Sequence, residues 1–544
     1  MRRLLVVVSA AALALLLPTV AQAARFAVGV RPHADRAALS SALERRTGHP
    51  VEDLAPVRAL IVRAATPRGL RLPGVRYVER LGVRRLAFTP TDPLVVRQWY
   101  LAQNRSYDAW PDQPALQSVR VAVIDSGVDA EHPELAGRVA QSESFVGGGP
   151  NDIQGHGTIV AGVIAAQTGN DTGIAGLAPS AELLVAKVVT ARRTIPVEAE
   201  AKAIRWAVEN GARVINMSLG GLRDPRNTHR DTYSRLEADA VAYAVSKDVV
   251  VVAAVGNSDQ APARPWRFAS YPAALPHVLG VSALARDGSS PEFSNRDPIY
   301  NDLAAPGEDV LSLFPRAITA DRPACVEQGY TPCATDEFRA PEGTSFAAPQ
   351  VSAAAANLIA TQPLLRSDQV VKILQRTAVD ATAANGCRPC AIGRDPLTGW
   401  GRLDAAAALG VLAGTPPVAD AFEANDEAGS RSYRLYGDRR AVRATLDYWD
   451  DPDDVYKVFV RRGDKLFVSL TDPAGEGASL GLWAPGTEEV TGFADLTQRL
   501  RLRTNPGPTE YLPYYATRTG WYYVHVHLLT QGFGQYRLFL QKTR

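Results

Sequence analysis

Apolar positions fall into three textures along the chain, and each texture predicts a different kind of element. From Asp92 to Leu412 the runs VRVAVID (residues 119–125), AELLVAKVV (181–189), RVINMSLGG (213–221) and DVVVVAAVGN (248–257) are almost continuous, as in strands buried on both faces of a parallel sheet. Helical spacing fills the intervals: VEAEAKAIRWAVENG (197–211) is one helix, and Val351, Ala354, Ala355 and Leu358 mark a buried helix that Pro349 fits only near its first turn. Strands alternating with helices predict an α/β fold with a doubly wound parallel sheet covered on both faces. From Phe26 to Arg85 a strand (FAVGV), an amphipathic helix (DRAALSSALERR) and two more strands (VRALIVRA, VRYVER) predict a small α/β unit. After Gly414–Pro417 the period becomes two, in VYKVFV, KLFVSL, WYYVHVHLL and YRLFL, which predicts an antiparallel β-sandwich with one wet face per sheet.

A length of 544 residues exceeds what one core serves, and the textures divide it into 1–23, 24–90, 91–412, a linker 413–419, and 420–544. Met1-Arg2-Arg3, the apolar stretch Leu4–Leu17 and Ala21-Gln22-Ala23 have the three parts of a secretory signal cut after Ala23, so a secreted or periplasmic protein is expected, with an uncleaved anchor as the alternative. The apolar stretch is too short for a comfortable membrane span. A net charge of +2 gives no reason to expect nucleic acid as a partner. The four cysteines form two close pairs, Cys325/Cys333 and Cys387/Cys390. Three connectivities are open. Local bridges fit an exported chain better than redox or metal chemistry.

Candidate chemistry gathers around EGTSFAAP (342–349), where Ser345 stands among small residues at a helix entry. Asp125 ends an apolar strand, His156 lies between two glycines in NDIQGHGTIVAG (151–162), and Asn257 ends another strand. Singly these are a helix cap, a turn, a structural histidine and a turn asparagine. In this order, with these flanks, they resemble the subtilisin-like serine proteases, whose triad runs Asp, His, Ser along the chain.

The resemblance covers about three-fifths of the chain, to TGWGRLDAAAALG (398–410), and implies a serine endopeptidase. It implies Asp125, His156 and Ser345 as triad and Asn257 in the oxyanion hole. Ser218, Leu219 and Gly220 would pair with substrate backbone, opposite Ala254 and Gly256 across the primary pocket. No cofactor is implied for the chemistry. Asp92, Glu134 and Asn170 match positions of a structural calcium site, with Glu134 where Asp is usual and a solvated loop as the equal alternative. Ile159, Phe346 and Gln350 depart from the family's common His, Met and His without touching a catalytic atom. Residues 24–90 resemble the family's propeptides, which implies an intramolecular inhibitor; a permanent accessory domain is the alternative.

The C-terminal region resembles the bacterial pre-peptidase C-terminal domain. Its run Asp450, Asp451, Asp453, Asp454 is open to two readings, a calcium site or an acidic turn. Trp521, Tyr522 and Tyr523 fit a packed core better than a binding face. Protein or peptide substrates follow from the resemblance, and two competing functions stand beside it: a catalytically silent scaffold, and a surface-binding protein acting through the sandwich.

Overall fold

The computed structural model describes residues 24–64, 66–81, 90–109, 117–319, 337–412, 420–423, 425–447, 451–471, 478–491, 496–504, 509–528 and 533–544. The signal-like segment, the stretch 82–89, Cys325, Cys333, the 413–419 linker and Asp450 lie outside them. The chain divides into two compact units, Met1–Ala87 and Phe88–Arg544.

In the N-terminal unit β1 (Ala24–Val30) pairs antiparallel with both β3 (Ala59–Ala64) and β4 (Val75–Arg80), and β2 (Glu52–Asp53) extends the far edge. Helix α1 (Arg36–Thr47) is capped by Asp35, which accepts from Ala38 N at 3.0 Å, and stops at left-handed Gly48. Leu39 and Leu43 pack on Phe26, Val28, Leu60 and Val62.

The second unit begins with short helices α2 (Trp99–Gln103) and α3 (Ser106–Ala109) and is built on seven parallel strands. These are β5 (Val119–Asp125), β6 (Val139–Ser144), β7 (Ala181–Lys187), β8 (Val214–Met217), β9 (Val250–Ala254), β10 (Val278–Leu284) and β11 (Leu303–Pro306), in the order β11-β10-β9-β8-β5-β7-β6. Alternation along each strand divides its side chains between two cores. Val119, Val121 and Val123 of β5 join the core under α4 (His156–Ala165), α7 (Thr344–Thr361), α8 (Ser367–Thr377) and α9 (Ala405–Val411). Ala122 and Ile124 join the core under α5 (Val197–Glu209) and α6 (Arg235–Ser246). A ribbon of β12 (Ser312–Leu313) and β13 (Phe338–Arg339) follows the sheet. The chain order reverses beside β5, so the crevice at the carboxyl ends of β5, β8 and β9 is where such a sheet binds ligands.

The C-terminal part is a sandwich of two sheets. One has the order β14 (Tyr433–Leu435), β16 (Asp453–Val460), β21 (Gly520–Leu528), β18 (Ala478–Trp483), β19 (Arg499–Arg503). The other has β15 (Arg439–Asp447), β22 (Phe533–Thr543), β17 (Lys465–Thr471), β20 (Thr509–Tyr515). All pairings are antiparallel except the edge pair β14–β16. Tyr522 lies in the inter-sheet core and Tyr523 packs on the outer face against Trp483 and Val455, while Trp521 stacks edge-on with Phe459. The hydrophobic clusters of sandwich and parallel-sheet domain are separate; Lys372 of α8 pairs with Asp426 at 3.2 Å across the boundary.

Two expectations need correction. The acidic run is not one cluster: with period two, Asp454 turns inward to Asn425 and Tyr536, whereas Asp453 turns outward to His525 and His527. Pro349 is the sixth residue of α7, beyond the first turn. Cys387 and Cys390 are bonded to each other. Among the described residues no helix is long and apolar enough to cross a membrane.

Candidate active site

Asp125 arrives at the carboxyl end of β5, 1% exposed, and His156 opens α4. Every residue of α4 after His156 is buried, so the imidazole is held at the rim of a rigid element. Its Nδ1 lies 2.8 Å from Asp125 Oδ1 and 3.0 Å from Oδ2. This approach depends on Gly157: a Cβ there would come within 2.1 Å of the Gly127 carbonyl oxygen and 3.2 Å of Asp125. Burial pushes the His156 pKa down, but the charge and hydrogen bond of Asp125, with Asp152 further off, outweigh it and hold the imidazolium above the ordinary 6.5.

Sequence reading missed the support behind this pair. Asp152 accepts from Gln154 N, Gly155 N, Thr158 N and Thr158 Oγ1 at 2.8–2.9 Å and takes Ser126 Oγ at 2.9 Å; Ser126 Oγ in turn accepts from Gly157 N at 2.9 Å. An acidic residue four before His156 was the available signal.

Ser345 stands in the first turn of α7. Its N-cap, Gly343, has φ +149°, a left-handed conformation that favours glycine, and a Cβ there would sit 3.2 Å from Asn257 Nδ2. Asn257 Oδ1 accepts from Thr344 N and Thr344 Oγ1, both at 3.0 Å. Because the oxygen serves both Thr344 donors, the amide is oriented, with Oδ1 on the helix start and Nδ2 left beside Gly343. The Ser345 hydroxyl donates to Ser218 O at 3.0 Å, and the His156 ring packs on Phe346, centroids 5.4 Å apart. A hydroxyl has one proton, so in this rotamer it is not donating to His156.

Ser218, Leu219 and Gly220 leave the carboxyl end of β8, with Gly220 exposed. Gly221 exchanges two backbone hydrogen bonds of 2.9 Å with Tyr271, which holds the segment from behind. Ala254 ends β9, and Gly256 follows it with φ +93° against Ser270 Oγ. Between Ser218–Leu219 and α4 lies a cavity of about 430 Å³ whose lining also includes Val189, Ile195 and Phe314. Gln350 is buried, donating to Pro306 O and Phe346 O and accepting from Asn104, a structural role.

Asp92, Glu134 and Asn170 also come together, away from the crevice. Asp92 accepts from Gly169 N at 2.7 Å, and Glu134 Oε1 accepts from Thr172 Oγ1 at 2.6 Å. Glu134 Oε2 is buried without a hydrogen-bond partner. Burial first, and in part their mutual repulsion or that of Asp171, raises both carboxyl pKa values. Two dry carboxylates with an orphaned oxygen fit a hard cation.

Comparison with known proteins gives first the class. A thermophilic serine proteinase of Bacillus sp. (strain AK1) is 35% identical over 314 residues, 57% of this chain and 68% of its own length. Thermitase of Thermoactinomyces vulgaris is 33% identical over 279 residues, 51% of this chain and 86% of its own. The class is serine endopeptidase. Residues 117–401, over half of the chain, match the subtilase family, and the chain belongs to that family.

Proposed function

We propose that this subtilase is an exported endopeptidase in which Asp125, His156 and Ser345 form the triad. The observation that carries the reading is the 2.8 Å contact of His156 Nδ1 with a buried Asp125 beside the helix that presents Ser345. In the reaction the Ser345 hydroxyl turns from Ser218 O toward His156, which takes its proton as the oxygen attacks the peptide carbonyl. Asp125 orients the imidazole and stabilises its charged form, in keeping with the raised pKa. The oxyanion is met by Asn257 Nδ2 and the Ser345 N–H, which as a first-turn amide has no intrahelical acceptor. His156 then protonates the leaving amine, and water resolves the acyl-enzyme by the same route in reverse.

Substrate backbone adds as a strand to Ser218–Gly220, with side chains received between that segment and Ala254–Gly256. Asp92, Glu134 and Asn170 would hold a structural calcium ion, which supplies charge neutralisation and takes no part in the chemistry. Residues 24–90 act as an intramolecular inhibitor removed by the enzyme, and the C-terminal sandwich is an appended pre-peptidase-like domain. Labelling with a fluorophosphonate tests the assignment, since only an activated serine reacts. Wild type should label and Ser345→Ala should not; an unlabelled, folded wild type would leave a silent scaffold.

A further inference from the structure

On the outer face of the five-stranded sheet, three side chains that the proposed protease chemistry does not use converge on one point. His525 and His527 are two apart on β21 and share a face; Asp453 on β16 is the direct register partner of His527. Asp453 Oδ1 lies 2.8 Å from His525 Nε2 and 2.6 Å from His527 Nδ1, and the three ligand atoms are all within 4.8 Å of one another. Asp453 is 5% exposed, whereas the His527 side chain is 33% exposed. On the neighbouring strand β18 the partner of His527 is Ser479 and that of His525 is Gly481, so neither position sends a bulky side chain across the pair. This face borders a cleft of about 1560 Å³ between the sandwich and α8, so water has access to it.

We propose that Asp453, His525 and His527 form a binding site for a divalent transition-metal ion, zinc being the best match. Two imidazole nitrogens and one carboxylate oxygen are the donor set of a borderline metal and exclude calcium or magnesium, which take oxygen ligands. At metal–ligand distances of about 2.0–2.2 Å a tetrahedral set holds its ligand atoms about 3.4 Å apart, so Asp453 Oδ1 has to draw back from the two ring nitrogens by about 0.6–0.8 Å, within the reach of side-chain rotation. Water from the cleft completes the coordination. The charge around the site admits a cation: Lys372 approaches Asp453 from α8, but its ammonium is paired with Asp426 at 3.2 Å. The His525 ring is shielded by Trp483, centroids 6.4 Å apart, which limits the ring's freedom before any metal arrives. The site would tie β16 to β21 on the face turned toward α8.

The test uses full-length, tag-free Ser345→Ala protein, which cannot digest itself under the proposed mechanism, with calcium in excess to fill oxygen-donor sites. After equilibration with Zn²⁺ and dialysis, mass spectrometry should find about one zinc per chain, and His527→Ala and Asp453→Asn should lose most of it. Co²⁺ in place of zinc should give a visible absorption band that the same variants lack. To separate lost binding from lost folding, thermal unfolding is followed with and without Zn²⁺: zinc should raise the Tm of the parent and leave a folded His527→Ala unchanged. No retained zinc in the parent, or equal zinc and equal Tm shifts in parent and variants, would overturn the proposal.

Discussion

Ser218 and Ser345 are bonded to each other twice: Ser218 Oγ donates to the Ser345 carbonyl at 2.7 Å, and Ser345 Oγ donates to the Ser218 carbonyl at 3.0 Å. The first bond answers a defect in α7. Pro349 has no N–H, so the carbonyl four residues earlier, that of Ser345, has no helical donor, and the Ser218 hydroxyl takes its place. Ser218 Oγ accepts from Asn216 Nδ2 at 2.9 Å, and Asn216 Oδ1 accepts from Ser352 Oγ at 2.8 Å, so a buried chain joins β8 to α7. Ser218→Ala should therefore destabilise the protein by about 1–3 kcal/mol. Part of that loss should disappear in a Pro349→Ala background, where the restored N–H can serve the same carbonyl. Thermal unfolding of the four proteins of this cycle decides it; strict additivity would mean the two positions are not coupled.

Ser345→Ala and His156→Ala should each remove nearly all proteolysis, because a triad acts as a unit and single losses are grossly non-additive. Asn257→Ala should be milder, lowering kcat by about 10²–10³-fold with little change in KM, the size established for such an amide in subtilisin. Steady-state kinetics on a small peptide amide reads both. Near wild-type hydrolysis by Ser345→Ala would sink the catalytic assignment.

The pH profile follows from the raised pKa of His156. The neutral imidazole is the active form, so kcat/KM should rise with pH through a midpoint above the ordinary 6.5. Stability shows the opposite sign: the charged imidazolium paired with Asp125 is favoured in the folded protein, so its contribution is full below about 6.5 and lost as pH rises through the raised value. Asp125→Asn removes the charge and should shift any remaining activity limb to lower pH. A wild-type midpoint below 6.5 would contradict the argument.

Calcium should stabilise the protein through Asp92 and Glu134. Their pKa values are raised, so without a cation the folded state holds protons more tightly than the unfolded one, and stability falls as pH rises through the carboxylate range. A bound ion reverses this, by about 2.7 kcal/mol at a hundred times its Kd. Differential scanning fluorimetry with calcium or chelator should show a Tm difference that shrinks in Glu134→Gln. An unchanged calcium response in that variant would place the ion elsewhere.

Self-processing should remove the N-terminal unit. Exported Ser345→Ala should keep an N-terminus near Ala24, while wild type should begin near Asp92. Terminal sequencing distinguishes three outcomes: both near Ala24 means a permanent domain, both near Asp92 means another protease, and the predicted difference means self-cleavage.

Much was determined by the sequence alone, because it rests on local periodicity. Short apolar runs that end in turn residues read as strands buried on both sides, as β5, β7, β8 and β9 are, and the period-two texture after residue 420 reads as sheets with one face inward. Asp125, His156, Asn257 and Ser345 were legible through their flanking glycines, which mark sharp turns at strand and helix ends.

The tertiary structure alone decided what depends on residues far apart in the chain. Asp152 behind Ser126, the Ser352–Asn216–Ser218–Ser345 chain and the convergence of Asp453 with His525 and His527 each require elements brought together across 26 to 136 positions. The split of Asp453 from Asp454 was implicit in strand periodicity but needed the register of β16 against β21 to be read. Periodicity is a property of neighbours, whereas hydrogen-bond partners and metal ligands are chosen by packing, and packing is settled only when the sheets close.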